Sequence, residues 1–195
     1  MDKFINLKKA LRHKVGCLLN RYTPLTVSLI CLLFLALVVS QLKKLGYHLT
    51  YVVTPSVPRG LYLVVPTKNI QSNDMLEFMP PIMTNEFAMS QQWFQPNRPL
   101  VKYVFAQAGD HVCIKNQAIF INGKKIAPVY SSYDDHKLLP KFTICDRINH
   151  GEYLLLSTKS TRSFDSRYFG LISLRQIRGR AIPLYVESIS GSTGN

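Results

Sequence analysis

Residues 163–170 read SFDSRYFG, and this stretch is the most informative part of the sequence. Two other features accompany it. The run SVPRGLY begins at Ser56, just past an apolar segment of membrane length, and Lys102 precedes an Ala-Gly-Asp turn at residues 108–110. A candidate nucleophile, a candidate base and a charged supporting loop therefore occur in one small domain.

The size and charge of the chain limit the classes it can belong to. With 195 residues, 47% of them hydrophobic, the chain is long enough for one domain plus an appendage. Its formal net charge is +13, and residues 1–44 contribute eight basic residues and one acidic residue, a net +7. A basic balance is also found in nucleic-acid-binding proteins. No recognition-helix, RRM or zinc-finger pattern accompanies it here, so the charge around the apolar segment is better explained by membrane topology.

The apolar segment at residues 24–42 reads PLTVSLICLLFLALVVSQL and has no charged side chain. A helix of this length rises about 28 Å at ~1.5 Å per residue, close to the thickness of a bilayer core. Six lysines and arginines precede it, so the positive-inside rule places the N-terminus in the cytoplasm. A cleaved secretory signal peptide is the alternative. We favour an uncleaved anchor, because no small-x-small cleavage site follows Val39 and the run is longer than a usual signal-peptide core.

The rest of the chain predicts a mostly-β domain. Strand-like runs of β-branched and aromatic residues recur between frequent turns, at residues 47–53, 61–65, 100–106, 111–114, 118–121, 153–157 and 181–186. Asn122-Gly123 suits the two-residue type I′ turn of a hairpin. Cys113 and Cys145 form a disulfide if this domain faces an oxidising compartment, and are two buried thiols otherwise.

Three blocks of the sequence resemble the type I signal peptidases, the S26 family. The nucleophile block is SVPRGLY at residues 56–62, the base block is KYVFAQAGD at residues 102–110, and the closing block is SFDSRYFG at residues 163–170. The resemblance covers the anchor and nearly all of residues 47–186. It is strongest to the conjugative-transfer branch, the TraF-type peptidases that mature pilin precursors.

The sequence departs from the family pattern at three places. Tyr103 stands where the family usually has a basic residue, and Ala108 where it usually has proline. The housekeeping enzymes place Gly-Asp-Asn ahead of the closing block, whereas residues 157–159 of this chain read Ser-Thr-Lys. The third departure favours the conjugative branch over a housekeeping leader peptidase.

The chemistry predicted for these blocks is acyl transfer by a serine–lysine dyad. Ser56 is the candidate nucleophile, and a free hydroxyl needs a base to take its proton. No motif places a histidine to do so. Lys102 lies in the apolar run LVKYVFA, where burial would lower its pKa from ~10.4 towards neutrality. The alternatives are a turn serine and a solvated lysine on the outer face of a strand.

The resemblance also implies supporting roles for four further residues. Thr54 joins the backbone N–H of Ser56 as an oxyanion donor, and Ser163 orients Lys102 through a hydrogen bond. Asp165 and Arg167 form an ion pair that fixes the closing loop. Two alternatives stay open for this pair, namely a direct action of Asp165 on the dyad and a purely structural salt bridge.

The organisation expected from these observations has four parts. Residues 1–22 form a basic cytoplasmic N-terminus, residues 23–44 a transmembrane signal anchor, residues 45–187 a periplasmic Ser/Lys peptidase domain and residues 188–195 a tail. The expected fold is mostly β, a signal-peptidase-like β domain with an N-terminal transmembrane helix. The protein would lie in a bacterial inner membrane as a single-pass protein.

The function predicted from the sequence is that of a membrane-anchored serine endopeptidase. It would process exported precursor proteins, above all in conjugative pilin maturation, by hydrolysis or by cyclisation. Its expected partners are a pilin-like precursor, the membrane and other components of a conjugation or secretion apparatus, with no nucleic acid. No cofactor and no metal are implied, because the sequence has no metal-ligand cluster and no nucleotide motif.

Besides the basic nucleic-acid-handling protein considered above, two other function classes compete with this prediction. The first is a non-enzymatic membrane-anchored component of a conjugation or secretion apparatus, in which the dyad residues are structural. The second is the self-cleaving repressor class, which shares a serine–lysine dyad. The membrane anchor and the missing helix-turn-helix pattern oppose the second class.

Overall fold

The computed structural model describes residues 24–82, 98–133, 138–157 and 163–187, together with Phe87, Ser90 and Ser160. The cytoplasmic N-terminus predicted for residues 1–22 and the tail predicted for residues 188–195 lie outside the described part. The chain divides into two compact units, Met1–Leu45 and Gly46–Asn195.

The first unit contains the helix α1, Pro24–Lys44. Proline suits the first position of a helix, where no intrahelical N–H bond is needed. The stretch Thr26–Lys44 has a mean hydropathy of 2.1, and its apolar side chains are exposed all round the helix. A helix that is hydrophobic on every side requires an apolar surrounding. Its length and composition suit a membrane span, and a signal sequence meets the same description.

The second unit is built from short strands joined by turns, which confirms the mostly-β prediction. The strands in the described residues are β1 His48–Val52, β2 Gly60–Val65, β3 Met75–Phe78, β4 Leu100–Ala106, β5 His111–Lys115, β6 Ala118–Ile121, β7 Lys124–Pro128, β8 Cys145–Arg147, β9 Glu152–Leu156, β10 Ile172–Ser173 and β11 Ile177–Val186. The described residues of this unit also include a one-turn helix α2 at Ser166–Phe169 and a 3-10 helix at Leu174–Gln176.

These strands form two antiparallel sheets. The larger sheet has seven strands in the order β1-β2-β11-β3-β4-β9-β10, and the smaller has four in the order β7-β6-β5-β8. In the smaller sheet β6 and β7 meet through Asn122 and Gly123, whose φ angles are 49° and 82°. Positive φ at both central residues is what a type I′ turn requires, so the predicted hairpin is confirmed.

The larger sheet curls, as a contact between His48 and Glu77 shows. His48 lies on β1 and Glu77 on β3, with two strands between them in the sheet order. Nevertheless His48 Nε2 lies 2.6 Å from Glu77 Oε2. The two side chains can meet only across a concave face, so the inner side of the sheet encloses a core.

Strand β4 carries buried residues on both of its faces. Successive side chains of a strand point to opposite sides. Val101 and Tyr103 pack with Val57 and Tyr62 in one cluster, while Val104 packs with another cluster on the opposite face. Lys102 shares the face of Val104, so strand alternation directs its side chain into an apolar layer.

Gly60, at the start of β2, permits a close approach of two strands. Its φ angle is 142°, and a Cβ built there would lie 2.2 Å from the carbonyl oxygen of Tyr185 on β11. Only glycine fits this contact. The contact fixes the end of the loop that precedes β2, which contains Ser56.

The outer face of β1 and β11 is apolar and exposed. Leu49 and Tyr51 of β1 are each about three-fifths exposed, and Leu184 of β11 is more than half exposed. Leu49 pairs with Leu63 of β2, which in turn pairs with Ile182 of β11, so the exposed side chains form one continuous surface. We call Leu49, Tyr51, Ile182 and Leu184 the apolar face.

Candidate active site

Ser56 lies in the loop between β1 and β2 and its side chain is directed inward. Pro55 and Pro58 lack an N–H and keep this loop from pairing as a strand. Val57 is buried in the core next to it, and the hydroxyl of Tyr62 donates to the carbonyl of Pro58 at 2.6 Å. Ser56 is only 6% exposed. The loop therefore holds a hydroxyl at the edge of the core rather than in solvent.

Lys102 lies in the middle of β4, with 4% of its surface exposed. Its Nζ donates a hydrogen bond to Ser163 Oγ at 2.8 Å. Burial lowers the pKa of Lys102 from 10.5 to about 8, although the charge of Asp165 acts to raise it and that of Arg167 to lower it further. A substantial fraction of the amine is therefore neutral in weakly basic solution, as a general base requires.

Ser163 is the common neighbour of the two residues. Its Oγ lies 2.8 Å from Lys102 Nζ and 3.3 Å from Ser56 Oγ. The hydrogen bonds among the described residues join both Ser56 and Lys102 to Ser163. A hydroxyl has one donor and two acceptor positions, so it can serve both neighbours at once. The structure thus brings Ser56, Lys102 and Ser163 together in one buried cluster.

Asp165 and Arg167 form a buried ion pair beside this cluster. Arg167 Nε donates to Asp165 Oδ1 and Arg167 Nη2 to Oδ2, both at 2.8 Å, and both side chains are almost fully buried. Burial acts to lower the pKa of Arg167, but the hydrogen bonds and charge of Asp165 raise it overall. Arg167 also donates to the carbonyl of Ser163 at 3.1 Å. The pair therefore fixes the backbone at Ser163.

Thr54 is placed differently from the other predicted residues. It is exposed, two residues before Ser56, and the structure shows no bond from its hydroxyl to Ser56, Lys102 or Ser163. Its side chain is thus exposed to solvent and lies outside the hydrogen bonds of the cluster.

Ser157 is a site residue that the sequence did not predict. It is fully buried at the end of β9, and its hydroxyl donates to the carbonyl of Ser56. Its N–H donates to Asp165 Oδ2 at 3.1 Å. The signal in the sequence was a serine directly after the apolar run of β9, where the housekeeping pattern has glycine.

Cys113 and Cys145 are joined by a disulfide in the smaller sheet. They face each other in register on β5 and β8. Ser56 and Lys102 belong to the larger sheet and the loop that precedes β2, so the disulfide is not part of their cluster. Among the described residues Cys31, in α1, is a free cysteine.

Comparisons with known proteins agree on one family. The family described as signal peptidase, peptidase S26, matches residues 20–186. The chain is 31% identical to signal peptidase I of Bacillus caldolyticus over 90 residues, which are 41% of this chain and 50% of that protein. It is 36% identical to signal peptidase IB of Staphylococcus aureus over 98 residues, 43% of this chain and 51% of that protein. The chain thus spans about half the length of the curated relatives it matches.

A solved structure of a signal peptidase I from Enterococcus faecalis V583 is also similar to this chain. The sequence identity is 21% and the TM-score 0.36, and the match covers 58% of this chain and 97% of the other.

Proposed function

Since this chain belongs to the peptidase S26 family of signal peptidases, we propose that it is a membrane-anchored serine endopeptidase that uses Ser56 and Lys102 as its dyad. One observation carries the proposal. A buried lysine and a buried serine, 46 positions apart in the sequence, both lie within hydrogen-bond distance of the same hydroxyl, that of Ser163. A structural serine and a solvated lysine would not require this arrangement.

The reaction proceeds in two acyl-transfer steps. Ser56 Oγ attacks the carbonyl carbon of the scissile peptide bond, and neutral Lys102 takes the proton of the hydroxyl. The C–N bond then breaks and Lys102 returns that proton to the leaving amine. In the second step Lys102 accepts a proton from water, or from an amine of the substrate, as that group attacks the ester.

Stabilisation of the oxyanion is assigned to Thr54 and the backbone N–H of Ser56. Preorganised donors directed at the developing negative charge are among the largest contributions to such reactions. The exposed position of Thr54 supports this role, because its hydroxyl is open to a substrate. Ser163 holds the amine of Lys102 towards the reacting hydroxyl, and the ion pair of Asp165 and Arg167 holds Ser163.

The proposed mechanism predicts that activity rises with pH until Lys102 is deprotonated. Lys102 must be neutral to accept a proton, and its pKa is lowered to about 8. We therefore expect kcat/KM to rise tenfold per pH unit below pH 8 and to level off above it. The measurement is a pH–rate profile of the detergent-purified full chain. A rise centred near pH 6.5 would indicate a histidine base instead.

The proposed location is a bacterial inner membrane, with residues 45–187 in the periplasm. Helix α1 has the length of a membrane span, which supports the anchor assigned to residues 23–44. The disulfide supports an oxidising compartment for the domain. The apolar face is a second surface of the kind that contacts lipid or other apolar material.

The proposed substrates are exported precursor proteins, with pilin-like precursors of conjugation as the first candidate. The serine at position 157, in place of the glycine of the housekeeping pattern, supports the conjugative branch. Such substrates bind as extended chains with small side chains next to the scissile bond. Other components of a conjugation or secretion apparatus are further candidate partners.

The test is cleavage of a defined precursor by the full chain in detergent or vesicles. A pilin-like precursor and a signal-peptide precursor with an Ala-x-Ala junction are each incubated with the wild-type protein and with Ser56→Ala. We expect the wild-type protein to cleave the pilin-like precursor and Ser56→Ala to cleave neither precursor. Mass spectrometry then identifies the reaction, because a cyclised product is one water lighter than the linear product.

Two results would contradict the proposal. If the wild-type protein cleaves neither precursor, the chain fits the alternative of a non-enzymatic component of a secretion apparatus. If Ser56→Ala cleaves as fast as the wild type, the nucleophile is misassigned. Cleavage of the signal-peptide precursor alone would retain the enzyme and reject the pilin substrate.

A further inference from the structure

We propose that Ser157 is a positioning residue for the nucleophile, which connects the backbone of Ser56 to the buried ion pair. This inference rests on the proposed function, in which the hydroxyl of Ser56 attacks the scissile peptide bond. Ser157 itself does not touch the substrate. It acts through the peptide unit that follows Ser56.

Each polar group of Ser157 makes a hydrogen bond. Its hydroxyl donates to the carbonyl of Ser56, and its N–H donates to Asp165 Oδ2 at 3.1 Å. Its carbonyl accepts from Arg167 Nη2 at 3.3 Å. The residue has no exposed surface. Two of its bonds therefore hold Ser157 on the ion pair, and the third reaches across to the loop of the nucleophile.

The bond to the carbonyl of Ser56 has a direct geometric consequence. That carbonyl belongs to the peptide plane between Ser56 and Val57, so fixing it fixes the ψ angle of Ser56. The Cα–Cβ bond then points in one direction, and the contact of the hydroxyl with Ser163 Oγ restricts the remaining χ1 rotation. The loop between β1 and β2 lacks the ladder bonds that would otherwise fix this plane, because Pro55 and Pro58 interrupt pairing.

The same ion pair thus positions both reacting side chains. Arg167 donates to the carbonyl of Ser163, which holds Lys102, and to the carbonyl of Ser157, which holds Ser56. A displacement of about 1 Å of a reacting group can cost about 100-fold in rate. We therefore expect loss of the Ser157 hydroxyl to reduce kcat by about that factor.

The chain offers a matched control in Ser166. Ser166 is also a fully buried serine, and its hydroxyl accepts the N–H of Leu155 at 3.1 Å, with no contact to Ser56. Ser157→Ala and Ser166→Ala each remove one buried hydroxyl and leave one backbone group unpaired. Their effects on stability should be similar, about 1–3 kcal/mol, whereas only Ser157→Ala should reduce kcat.

The experiment measures kcat, KM and the pH–rate profile of the full chain in detergent, with the number of active sites taken from the folded fraction measured by circular dichroism. For Ser157→Ala we expect kcat about 100-fold lower and KM unchanged. The rise in activity with pH should still level off near pH 8, because the surroundings of Lys102 are retained. For Ser166→Ala we expect wild-type kcat per active site. A purely structural role would reduce the number of active sites and leave kcat per site unchanged.

The outcomes separate this inference from the proposed function. Equal kcat per site in Ser157→Ala and Ser166→Ala, with an inactive Ser56→Ala, would overturn the role of Ser157 and leave the dyad intact. An active Ser56→Ala would overturn the dyad itself. If Ser157→Ala does not fold, Ser157→Cys keeps the side-chain shape with a weak donor, and unchanged kcat in that variant would overturn the inference.

Discussion

Lys102→Met is expected to abolish cleavage and to make the protein more stable. Methionine matches the length and apolar stem of lysine but cannot accept a proton, so the dyad loses its base. We expect kcat to fall by about 10⁴-fold, the upper end of what general-base catalysis contributes, because the serine cannot act alone. The measurement is single-turnover cleavage of the Ala-x-Ala precursor by the detergent-purified variant.

The gain in stability follows from the lowered pKa of Lys102. The pKa is about 8 in the folded state and ~10.4 in the unfolded state. The unfolded chain therefore binds more protons between pH 8 and pH 10.4, and the stability of the wild type rises with pH across that window. Below pH 8 the full penalty is present, on the order of 3 kcal/mol, offset in part by the hydrogen bond to Ser163.

The expected result for Lys102→Met is a Tm about 3–6 °C higher at pH 7. This gain should shrink as the pH rises from 8 towards 10.4, because the wild-type lysine becomes neutral there. Lys124→Met is the matched control, since Lys124 is exposed in the smaller sheet and surface substitutions change stability by about 0.5 kcal/mol or less. A loss of stability in Lys102→Met at pH 7 would contradict the assignment of a desolvated amine.

Asp165→Ala is expected to have the largest effect on stability. The substitution leaves the guanidinium of Arg167 buried without its carboxylate partner, and breaking a buried pair in this way costs about 3–5 kcal/mol. The same change releases the carbonyls of Ser157 and Ser163, so activity should fall as well. The measurement is thermal or urea unfolding of the full chain, with an expected decrease in Tm of about 10 °C.

Two further variants identify the origin of this effect. Asp74 and Arg180 form a more exposed ion pair at 2.8 Å, so Asp74→Ala should cost about 1 kcal/mol or less. The double variant Asp165→Ala with Arg167→Met should cost less than the sum of its single changes, because no buried charge is left unpaired. If Asp165→Ala is as stable as Asp74→Ala but inactive, Asp165 acts on the dyad directly.

The sequence predicted those strands whose ends are marked by neighbouring turn residues or prolines. Strand β4 begins after Pro99 and ends before the Gly109-Asp110 turn, and the predicted and observed limits coincide. The hairpin was likewise predicted from its own two turn residues, Asn122 and Gly123. Strand β3 was missed because Glu77 interrupts its apolar run, and only the curled sheet supplies His48 as a partner for that carboxylate.

The sequence singled out residues that the structure brings together, but it did not predict every contact among them. Ser56, Lys102 and Ser163 were proposed from three short blocks, but the order of contacts depends on how β2, β4 and the closing loop meet in space. Ser157 could not be found, because its contact with Ser56 spans 101 positions and leaves no periodic signal. Contacts of this kind follow from tertiary packing, which a single sequence does not display.

The contact between Arg167 and the smaller sheet joins the buried ion pair to the part of the domain that carries the disulfide. Arg167 Nη1 donates to the carbonyl of Pro128, the last residue of β7, at 3.1 Å, and the same sheet carries the disulfide. With the disulfide reduced, that sheet would be held by noncovalent bonds alone. The support of the guanidinium by the carbonyl of Pro128 would then be weaker than in the oxidised protein.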